Sequence, residues 1–510
     1  MSRMPRRKFL QLSGAMAAGT LASPLAGQNT ESRSKSSRPN ILIFLTDDHG
    51  QWAQYAYGDS ELLSPNLNRL AARGMRMTRA FAPCPVCSPA RASFFTGRMP
   101  SQHGIHDWLL EHATSKIPDL TGQTLISELL KKAGYRTGLV GKWHCANSRR
   151  PQPGFDRWFS YWINQYPHRG VQHFSDQGNQ VVEEGQQSPL LTRRAIDFIR
   201  EHHQDGRAAS GQPFFLFVSY VDTHIPHDDA PDDLVAQYRE ASFRDIPREM
   251  FAACHGRTIE PVDTKPEVER KKKMEYYGAV SSIDREVGKV VAALEATGQI
   301  NNTLIIYTGD HGLNCGQHGT WEKGNGTIPQ NFLEESILIP CTLSWPAGGI
   351  LQNATSDDLV SHPDLWATLL EIAGATPDAA TLARLNSPGR SYLRQLRGDR
   401  VRGWRQTMIS EYGNARMARK GRYKLIKRYP FAGITFPDEL YDLHDDPRET
   451  RNLYGAAALR DQVQDLSAEI DQFFSQYSLP GRTGLDLEHL PDCNPRSPWL
   501  LAAKNRARRS

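Results

Sequence analysis

Short apolar runs alternate with helix-like stretches along the first three quarters of the chain. Two runs have the length and continuous apolar character of strands buried on both faces, at Asn40–Thr46 and 213–220, and two further strands are predicted at 135–140 and 303–307. Between and after them we predict helices at residues 64–74, 124–132, 190–202, 273–298 and 365–373. Strands that alternate with helices indicate an α/β fold with a large, mainly parallel sheet flanked by helices.

The pattern changes after about residue 377. Four shorter and more polar runs follow, at Thr407–Tyr412, 416–420, 423–427 and 439–443. Their alternation predicts a small antiparallel sheet with one face open to water, and a helix near 459–477 to cover the other face. We therefore expect a catalytic α/β domain at 39–376 and a C-terminal α+β subdomain at 377–510, which ends in a solvated basic tail.

Length and charge limit the classes of function. A chain of 510 residues has room for two or three domains. The formal net charge is +5, of which Arg3, Arg6, Arg7 and Lys8 supply four charges, and residues 1–26 contain no acid. The rest of the chain is therefore close to neutral, which argues against a nucleic-acid partner.

The N-terminus has the pattern of an export signal. Arg6 and Arg7 precede a mildly apolar, Gly/Ala-rich stretch that ends near Ala26, which is typical of a twin-arginine signal peptide. An amphipathic helix of the fold is the alternative, but its Gly and Pro content disfavours it. We predict a signal at 1–26, a polar linker at 27–38, export by the twin-arginine machinery to the periplasm or beyond in a bacterium, and no stable membrane association.

Two polar segments follow apolar strands and resemble each other. Asp47, Asp48 and His49 follow the first strand, and Asp310 and His311 follow the fourth. Because ligands bind at the carboxyl ends of parallel strands, these side chains are expected to meet. Three carboxylates favour a hard divalent ion such as Ca²⁺ or Mg²⁺. Turn residues and helix caps are the alternative for each motif alone, and the repetition favours the metal.

A cysteine-containing segment lies between these two motifs. Cys87 has Pro89 two residues on and Arg91 four residues on, whereas Cys84 has neither residue at those offsets. This Cys-x-Pro-x-Arg pattern resembles the signature of the formylglycine-dependent sulfatases. In that family the cysteine is oxidised to an aldehyde, formylglycine, whose hydrate attacks sulfur and then expels sulfate. A redox Cys-x-x-Cys pair is the alternative, but no thioredoxin pattern surrounds it.

The resemblance extends from Asp47 to Lys323 and implies the fold of the alkaline phosphatase superfamily. It implies one cation, Ca²⁺ rather than Mg²⁺, held by Asp47, Asp48, Asp310, His311 and the formylglycine formed from Cys87. Several sulfatases carry asparagine where His311 stands, and nitrogen is a less usual ligand for Ca²⁺. His49 matches no ligand of the family.

The same resemblance assigns roles to basic residues. It implies that Arg91 steadies the formylglycine hydrate, and that Lys142 and His144, in Gly-Lys-Trp-His, contact the nucleophile and the sulfate. His224 and Lys323 match the pair that binds sulfate and aids departure of the leaving group. Taken singly, Lys323 fits a surface lysine and the histidines fit buried core residues. Their joint occurrence favours the site, in which Asp310 is a candidate proton acceptor.

These motifs predict an enzyme that hydrolyses sulfate esters, most plausibly of a sulfated sugar or polysaccharide. A phosphonate or phosphate monoester hydrolase of the same superfamily and a carbohydrate-binding relic without catalysis are the alternatives. A formylglycine-generating enzyme is the expected maturation partner. Four tryptophans near the motifs are candidates for stacking on sugar rings, with core packing as the alternative for each: Trp108, Trp143, Trp162 and Trp321.

Overall fold

The structure is a computed structural model. It describes residues 38–109, 119–162, 166–247, 249–250, 255–260, 263–491 and 494–507. The predicted export signal and nearly all of the linker lie outside the described residues, as do Cys254, Cys493, Arg508 and Arg509. Residues 38–510 form one compact unit. The predicted division of this unit near residue 377 stays a prediction.

Eighteen strands occur in the described part of the chain. They are β1 Asn40–Thr46, β2 Met75–Met77, β3 Ala80–Phe81, β4 Arg136–Gly141, β5 Arg157–Tyr161, β6 Arg169–Asp176, β7 Asn179–Gln186, β8 Phe214–Tyr220, β9 Arg257–Thr258, β10 Thr303–Gly309, β11 Thr327–Ile328, β12 Cys341–Ser344, β13 Ala354–Ser356, β14 Val360–Ser361, β15 Thr407–Tyr412, β16 Ala415–Lys420, β17 Tyr423–Arg428 and β18 Glu439–Asp442.

Thirteen α-helices accompany these strands in the same described ranges. They are α1 Pro65–Ala72, α2 Cys87–Thr96, α3 Pro100–His103, α4 Ile126–Lys132, α5 Gln187–Gln204, α6 Asp232–Val235, α7 Pro266–Ala296, α8 Glu334–Ile337, α9 His362–Ala373, α10 Ala379–Leu385, α11 Leu393–Leu396, α12 Arg460–Tyr477 and α13 Pro498–Ala507.

The central sheet confirms the predicted α/β fold. Its ten strands lie in the order β13-β2-β12-β10-β1-β8-β4-β5-β6-β7, and β10, β1, β8, β4 and β5 pair in parallel. Alternate residues of β1 enter two cores, one with α2, α4 and α9 and the other with α1, α5 and α7. A strand buried on both faces needs apolar side chains throughout, which explains its continuous apolar sequence.

The C-terminal sheet has the predicted antiparallel order β15-β16-β17-β18. The expectation that one face is open to water is wrong. Leu466, Ile470 and Phe474 of α12 cover one face. The other face packs against Phe81, Cys84, Val86 and Phe332 of the main body. Long polar side chains on these strands lie at edges and in ion pairs, and they mask the apolar character of both faces.

Three further elements differ from the sequence predictions. The hairpin of β6 and β7 was not predicted, because it is largely exposed and its residues are mostly polar. Helix α7 begins at Pro266, before the predicted 273, with a charged first turn. Helix α13, whose Trp499 packs on Tyr412, was not predicted, while Lys504 and Arg506 of the predicted solvated tail are exposed on it as expected. Among the described residues, no helix combines the length and the apolar character needed to cross a membrane.

A buried ion-pair network joins the segment after β10 to the C-terminal part of the chain. His318 Nε2 lies 3.1 Å from Glu335 Oε2 and 3.6 Å from Glu249 Oε1, and Arg448 Nη1 donates to Glu335 Oε1 at 2.7 Å. Burial lowers the pKa of His318, but the hydrogen bond and charge of Glu335 outweigh burial and raise it. His318 and Arg448 together balance the two carboxylates.

We predict a pH-dependent contribution of His318 to stability. A histidine whose folded pKa is raised stabilises the fold fully below its unfolded pKa, near 6.5, and loses that contribution as pH rises through the folded pKa. His318→Gln should therefore lower the melting temperature most at acidic pH, with the difference from the parent narrowing toward alkaline pH. Thermal unfolding of both proteins across this range tests it. A difference that is constant or grows with pH would contradict the assignment.

Candidate active site

The carboxyl ends of four adjacent strands form the base of the site. In the parallel register, Thr46 of β1 lies opposite Gly309 of β10 and Tyr220 of β8, and Gly141 of β4 lies opposite Ser219. The residues that follow these strand ends therefore emerge at one level of the sheet. They include Asp47, Asp48, Lys142, His144, His224, Asp310 and His311.

Cys87 occupies the first position of α2, directly above these strand ends. Its Sγ lies 3.3 Å from Asp47 Oδ1 and 3.2 Å from His311 Nε2. Cys84 packs instead in the apolar cluster beneath the C-terminal sheet. Burial raises the pKa of both thiols well above the usual range. A redox pair needs an accessible thiolate, so this environment disfavours that alternative.

Four predicted metal-binding residues form one group in the structure. Ligand atoms of Asp47, Asp48, Cys87 and His311 all lie within 4.8 Å of one another. Asp48 Oδ2 is buried without a hydrogen-bond partner. Burial raises the pKa of Asp48 to about 7, even though Lys323 opposes this shift. The unpartnered oxygen, and a cost of burial that Lys323 does not fully offset, fit a hard divalent cation.

Asp310 stands beside this group and is engaged by Arg91. Arg91 Nε donates to Asp310 Oδ2 at 2.8 Å, and the backbone N–H of His311 donates to Asp310 Oδ1. Asp310 Oδ1 lies 3.6 Å from His311 Nε2. Arg91 Nη1 also donates to Lys142 O and Ser219 Oγ, each at 2.8 Å. One guanidinium thus holds the ends of several strands together.

Lys142 and His144 follow a close approach between β4 and β8. Gly141 has a φ of 105°, and a Cβ there would lie 2.1 Å from Ser219 O. Lys142 Nζ donates to Asp47 Oδ2. Burial opposes ionisation of Asp47, but Lys142 and Arg91 outweigh it and hold its pKa well below the usual range. His144 Nε2 donates to Leu109 O at 2.8 Å, while its Nδ1 is buried without a partner.

Lys323 and His224 contact each other beside Asp48. Lys323 Nζ lies 2.6 Å from Asp48 Oδ1 and 3.2 Å from His224 Nε2. Gly324 lets this loop reach the nucleophile segment, because a Cβ there would lie 2.4 Å from Pro85 Cγ. Burial lowers the pKa of Lys323, but Asp48 outweighs it and raises the pKa well above the usual range.

The site also contains residues that sequence reasoning missed. The Tyr166 hydroxyl contacts the ring of His224, and Ser219 accepts from Arg91. Ser219 could have been predicted, because it lies near the end of β8, which pairs with β1. No sequence pattern indicates Tyr166, since it follows no predicted strand and belongs to no motif.

Other candidates lie away from the chemistry. His49 is turned into the core, where its Nε2 donates to Ala53 O and its Nδ1 accepts from Tyr307 Oη. Trp143 and Trp321 are buried in the apolar cores. Trp108 and Trp162 are partly buried, and the Arg149 guanidinium lies over the Trp162 ring. The prediction that Trp143 and Trp321 stack on sugar rings is therefore wrong, because their rings are packed among core side chains.

The carboxyl edge of a mainly parallel sheet thus gathers a buried cysteine, carboxylates and cationic side chains. The chain matches the sulfatase family over residues 39–375, and the C-terminal region of N-sulphoglucosamine sulphohydrolase over residues 316–476. The chain therefore belongs to the sulfatase family, as its motifs predicted, and is a sulfuric ester hydrolase.

Curated relatives cover much of the chain. It is 26% identical to an N-acetylglucosamine-6-O-sulfatase of Bacteroides thetaiotaomicron, covering 90% of this chain and 91% of that protein. It is 30% identical to the N-acetylgalactosamine-6-sulfatase of Rattus norvegicus over 66% of this chain and 63% of the relative. It is 26% identical to human arylsulfatase A, covering 90% and 94% of the two chains.

Solved structures share the fold. One, in complex with its substrate D-glucosamine-2-N,6-O-disulfate, aligns with a TM-score of 0.73 at 22% identity, covering 86% of this chain and 98% of that one. The phosphonate monoester hydrolase of Agrobacterium radiobacter aligns with a TM-score of 0.67 at 20% identity, covering 86% and 96%. The fold thus hosts more than one hydrolytic activity.

Proposed function

We propose that the protein hydrolyses the sulfate ester of a sugar, with Cys87 matured to formylglycine and one Ca²⁺ bound beside it. The observation that supports this most strongly is the convergence of Cys87 with Asp47, Asp48 and His311 at the strand ends. The first position of a helix suits the proposed group, because helix N-termini favour developing negative charge. Asp310, held by Arg91, completes the proposed ligand set.

The charge balance of the site suits a monoanion. Three buried carboxylates, Asp47, Asp48 and Asp310, are matched by Arg91, Lys142 and Lys323. A bound dication makes the site positive overall and supplies stabilisation of charge on the sulfuryl oxygens. A sulfate ester carries one negative charge, which such a site attracts. Since its groups are buried, they act in a medium of low dielectric, where fixed charges interact strongly.

Individual residues hold protons at defined atoms. Lys323 carries three N–H groups, of which one faces Asp48 and one faces His224, so the third is available to the departing oxygen. His144 presents an unpartnered Nδ1. Asp310 holds Arg91, whose guanidinium is fixed to the backbone of Lys142 and orients the nucleophile segment. Position 87 would hold the formylglycine hydrate, which would supply the attacking oxygen.

The relatives suggest the class of sugar. Two of them are named for 6-sulfates of N-acetylhexosamines, and one spans nearly the whole chain. We therefore propose a 6-O-sulfated N-acetylhexosamine, free or at the end of a polysaccharide, as the substrate class. Export by the twin-arginine route and maturation by a formylglycine-generating enzyme complete the proposal, supported by the N-terminal pattern and the Cys87 motif.

The two cysteines of the nucleophile segment provide matched variants. Cys87→Ala removes the proposed nucleophile and should lower kcat by about 10⁴-fold. Cys84→Ala removes a small buried group from an apolar cluster, so it should cost about 1 kcal/mol of stability and leave most of the activity. Mass spectrometry should find the aldehyde at Cys87. Equal loss of activity in both variants, with no aldehyde at Cys87, would refute the assignment.

The cation is tested by composition and by activity. Elemental analysis of the parent should find about one Ca²⁺ per chain, and Asp48→Asn should lower this occupancy and the activity together. Asp284→Asn is the matched control, because it alters a buried carboxylate that bonds to Asn66 and Leu67 away from the site. Full activity after exhaustive chelation, with no metal detected, would rule out the cation.

The reaction class is tested with matched esters. The parent should hydrolyse an aryl sulfate and a sulfated sugar faster than the corresponding aryl phosphate. Lys323→Ala should lower kcat on the sugar by about 10²–10⁴-fold and on the activated aryl sulfate far less, since a phenolate needs little protonation. Lys272→Ala alters a neighbouring lysine over Trp321 and serves as control. Preference for phosphate would favour the phosphonate or phosphate monoester hydrolase alternative.

A further inference from the structure

Residues 166–168 lie against the loop that carries His224. The Tyr166 hydroxyl contacts His224 Nδ1 and lies 3.2 Å from Nε2. The two rings are tilted by 55° with centroids 5.4 Å apart. Two residues further on, His168 Nδ1 lies 3.3 Å from Asp229 Oδ1, and Asp229 belongs to the same loop as His224.

The hydrogen bonds of His224 determine which ring nitrogen carries the proton. Nδ1 lies 2.7 Å from the carbonyl oxygen of Ile225, which only accepts, so Nδ1 carries the hydrogen. Nε2 then has a lone pair and accepts from Lys323 Nζ at 3.2 Å. The Tyr166 hydroxyl is in reach of both nitrogens and is the one side-chain hydroxyl that the described residues place on this ring. Its oxygen is closest to Nδ1 and accepts from the Nδ1 hydrogen, which it shares with the carbonyl oxygen of Ile225.

The segment that carries Tyr166 is itself anchored. Gln187, the first residue of α5, donates from its side chain to Pro167 O at 2.9 Å and from its backbone to His168 O at 2.9 Å. The ring of Tyr166 lies 5.2 Å from that of His168, which is almost fully buried. A hydroxyl held in this way is fixed relative to the sheet and is able to fix the ring that it contacts.

We propose that Tyr166 is a positioning residue of the leaving-group side, which holds the His224 ring in the orientation that presents Nε2 to Lys323. This role rests on the proposed function of the site. Tyr166 acts through His224, and the Lys323 ammonium is the group that faces the departing oxygen. If the ring rotated freely, Nε2 would no longer accept from Lys323. A smaller fraction of enzyme–substrate complexes would then have the ammonium aligned with the departing oxygen.

The first experiment removes the hydroxyl and keeps the ring. Tyr166→Phe should lower kcat on a sulfated sugar by about threefold to tenfold, the range of one hydrogen bond, with KM nearly unchanged. The activated aryl sulfate should lose less than half of its rate, because its departure needs little help. Wild-type kcat on the sugar, or an equal loss on both substrates, would overturn the proposal.

A double-mutant cycle separates action through His224 from independent action. In a His224→Ala background, the Tyr166→Phe change should have no further effect on the sugar sulfate, because the ring that it positions is gone. Two losses that multiply would show that Tyr166 acts by itself and would overturn the proposal. Activity of the parent on the sugar is measured in parallel, so that failure of the proposed function is recognised separately.

Tyr161→Phe is the matched control. Its hydroxyl contacts Gln187 Oε1 at the base of the same segment, away from His224. It should leave the ratio of sugar to aryl rates unchanged. The same loss as in Tyr166→Phe would mean that both changes merely loosen the segment, and would overturn the proposal.

A spectroscopic measurement reports on the ring itself. The ¹⁵N signals of the His224 ring, identified by their loss in His224→Ala, should shift in Tyr166→Phe and stay unchanged in Tyr161→Phe. Unshifted signals in Tyr166→Phe would also overturn the proposal.

Discussion

The buried guanidinium of Arg91 is the contact on which the site depends. It reaches Asp310 after β10, Asp47 after β1, Ser219 in β8 and the carbonyl of Lys142 after β4. These groups come from four neighbouring strands. Arg91 is also four residues from Cys87, so one helical turn links the same guanidinium to the nucleophile position. Relative displacement of any of these strands would break a charged hydrogen bond in a water-free environment, which makes the arrangement rigid.

This rigidity comes from burying charge, which is costly unless every ion is paired. Asp47 achieves pairing with Lys142 and Arg91, and its pKa is held low. Asp48 has one lysine, Lys323, and the His311 ring beside it, and burial outweighs both and raises its pKa to about 7. The two adjacent carboxylates therefore differ because a lysine and an arginine pair with Asp47, whereas a single lysine pairs with Asp48. The fold thus prepares a place beside Cys87 where one more positive charge is favourable.

Most of the site was accessible from sequence because its residues follow buried strands. Continuous apolar runs located the strand ends, and parallel pairing then brought Asp47 and Asp310 to one edge. The two-sided burial of the C-terminal sheet was not accessible, since Phe81 and Phe332, which cover it, come from distant segments. Tyr166 was missed for a related reason, because its place depends on anchoring by Gln187 rather than on any local pattern.

The segment that leads into Cys87 is covered by a part of the chain that is synthesised much later. Ser410 of β15 donates to Ala82 O, a contact that joins residues 328 positions apart, and Cys84 and Val86 pack under the same sheet. Cys87, the next residue, is 2% exposed. An enzyme that must enclose the segment around Cys87 would act before this sheet has formed. During synthesis at roughly 5–20 residues per second, Ser410 follows Cys87 by about 16–65 s. The proposed conversion of Cys87 to formylglycine would thus fall in this interval or on a chain held unfolded, and its efficiency would depend on the rates of conversion and of translation.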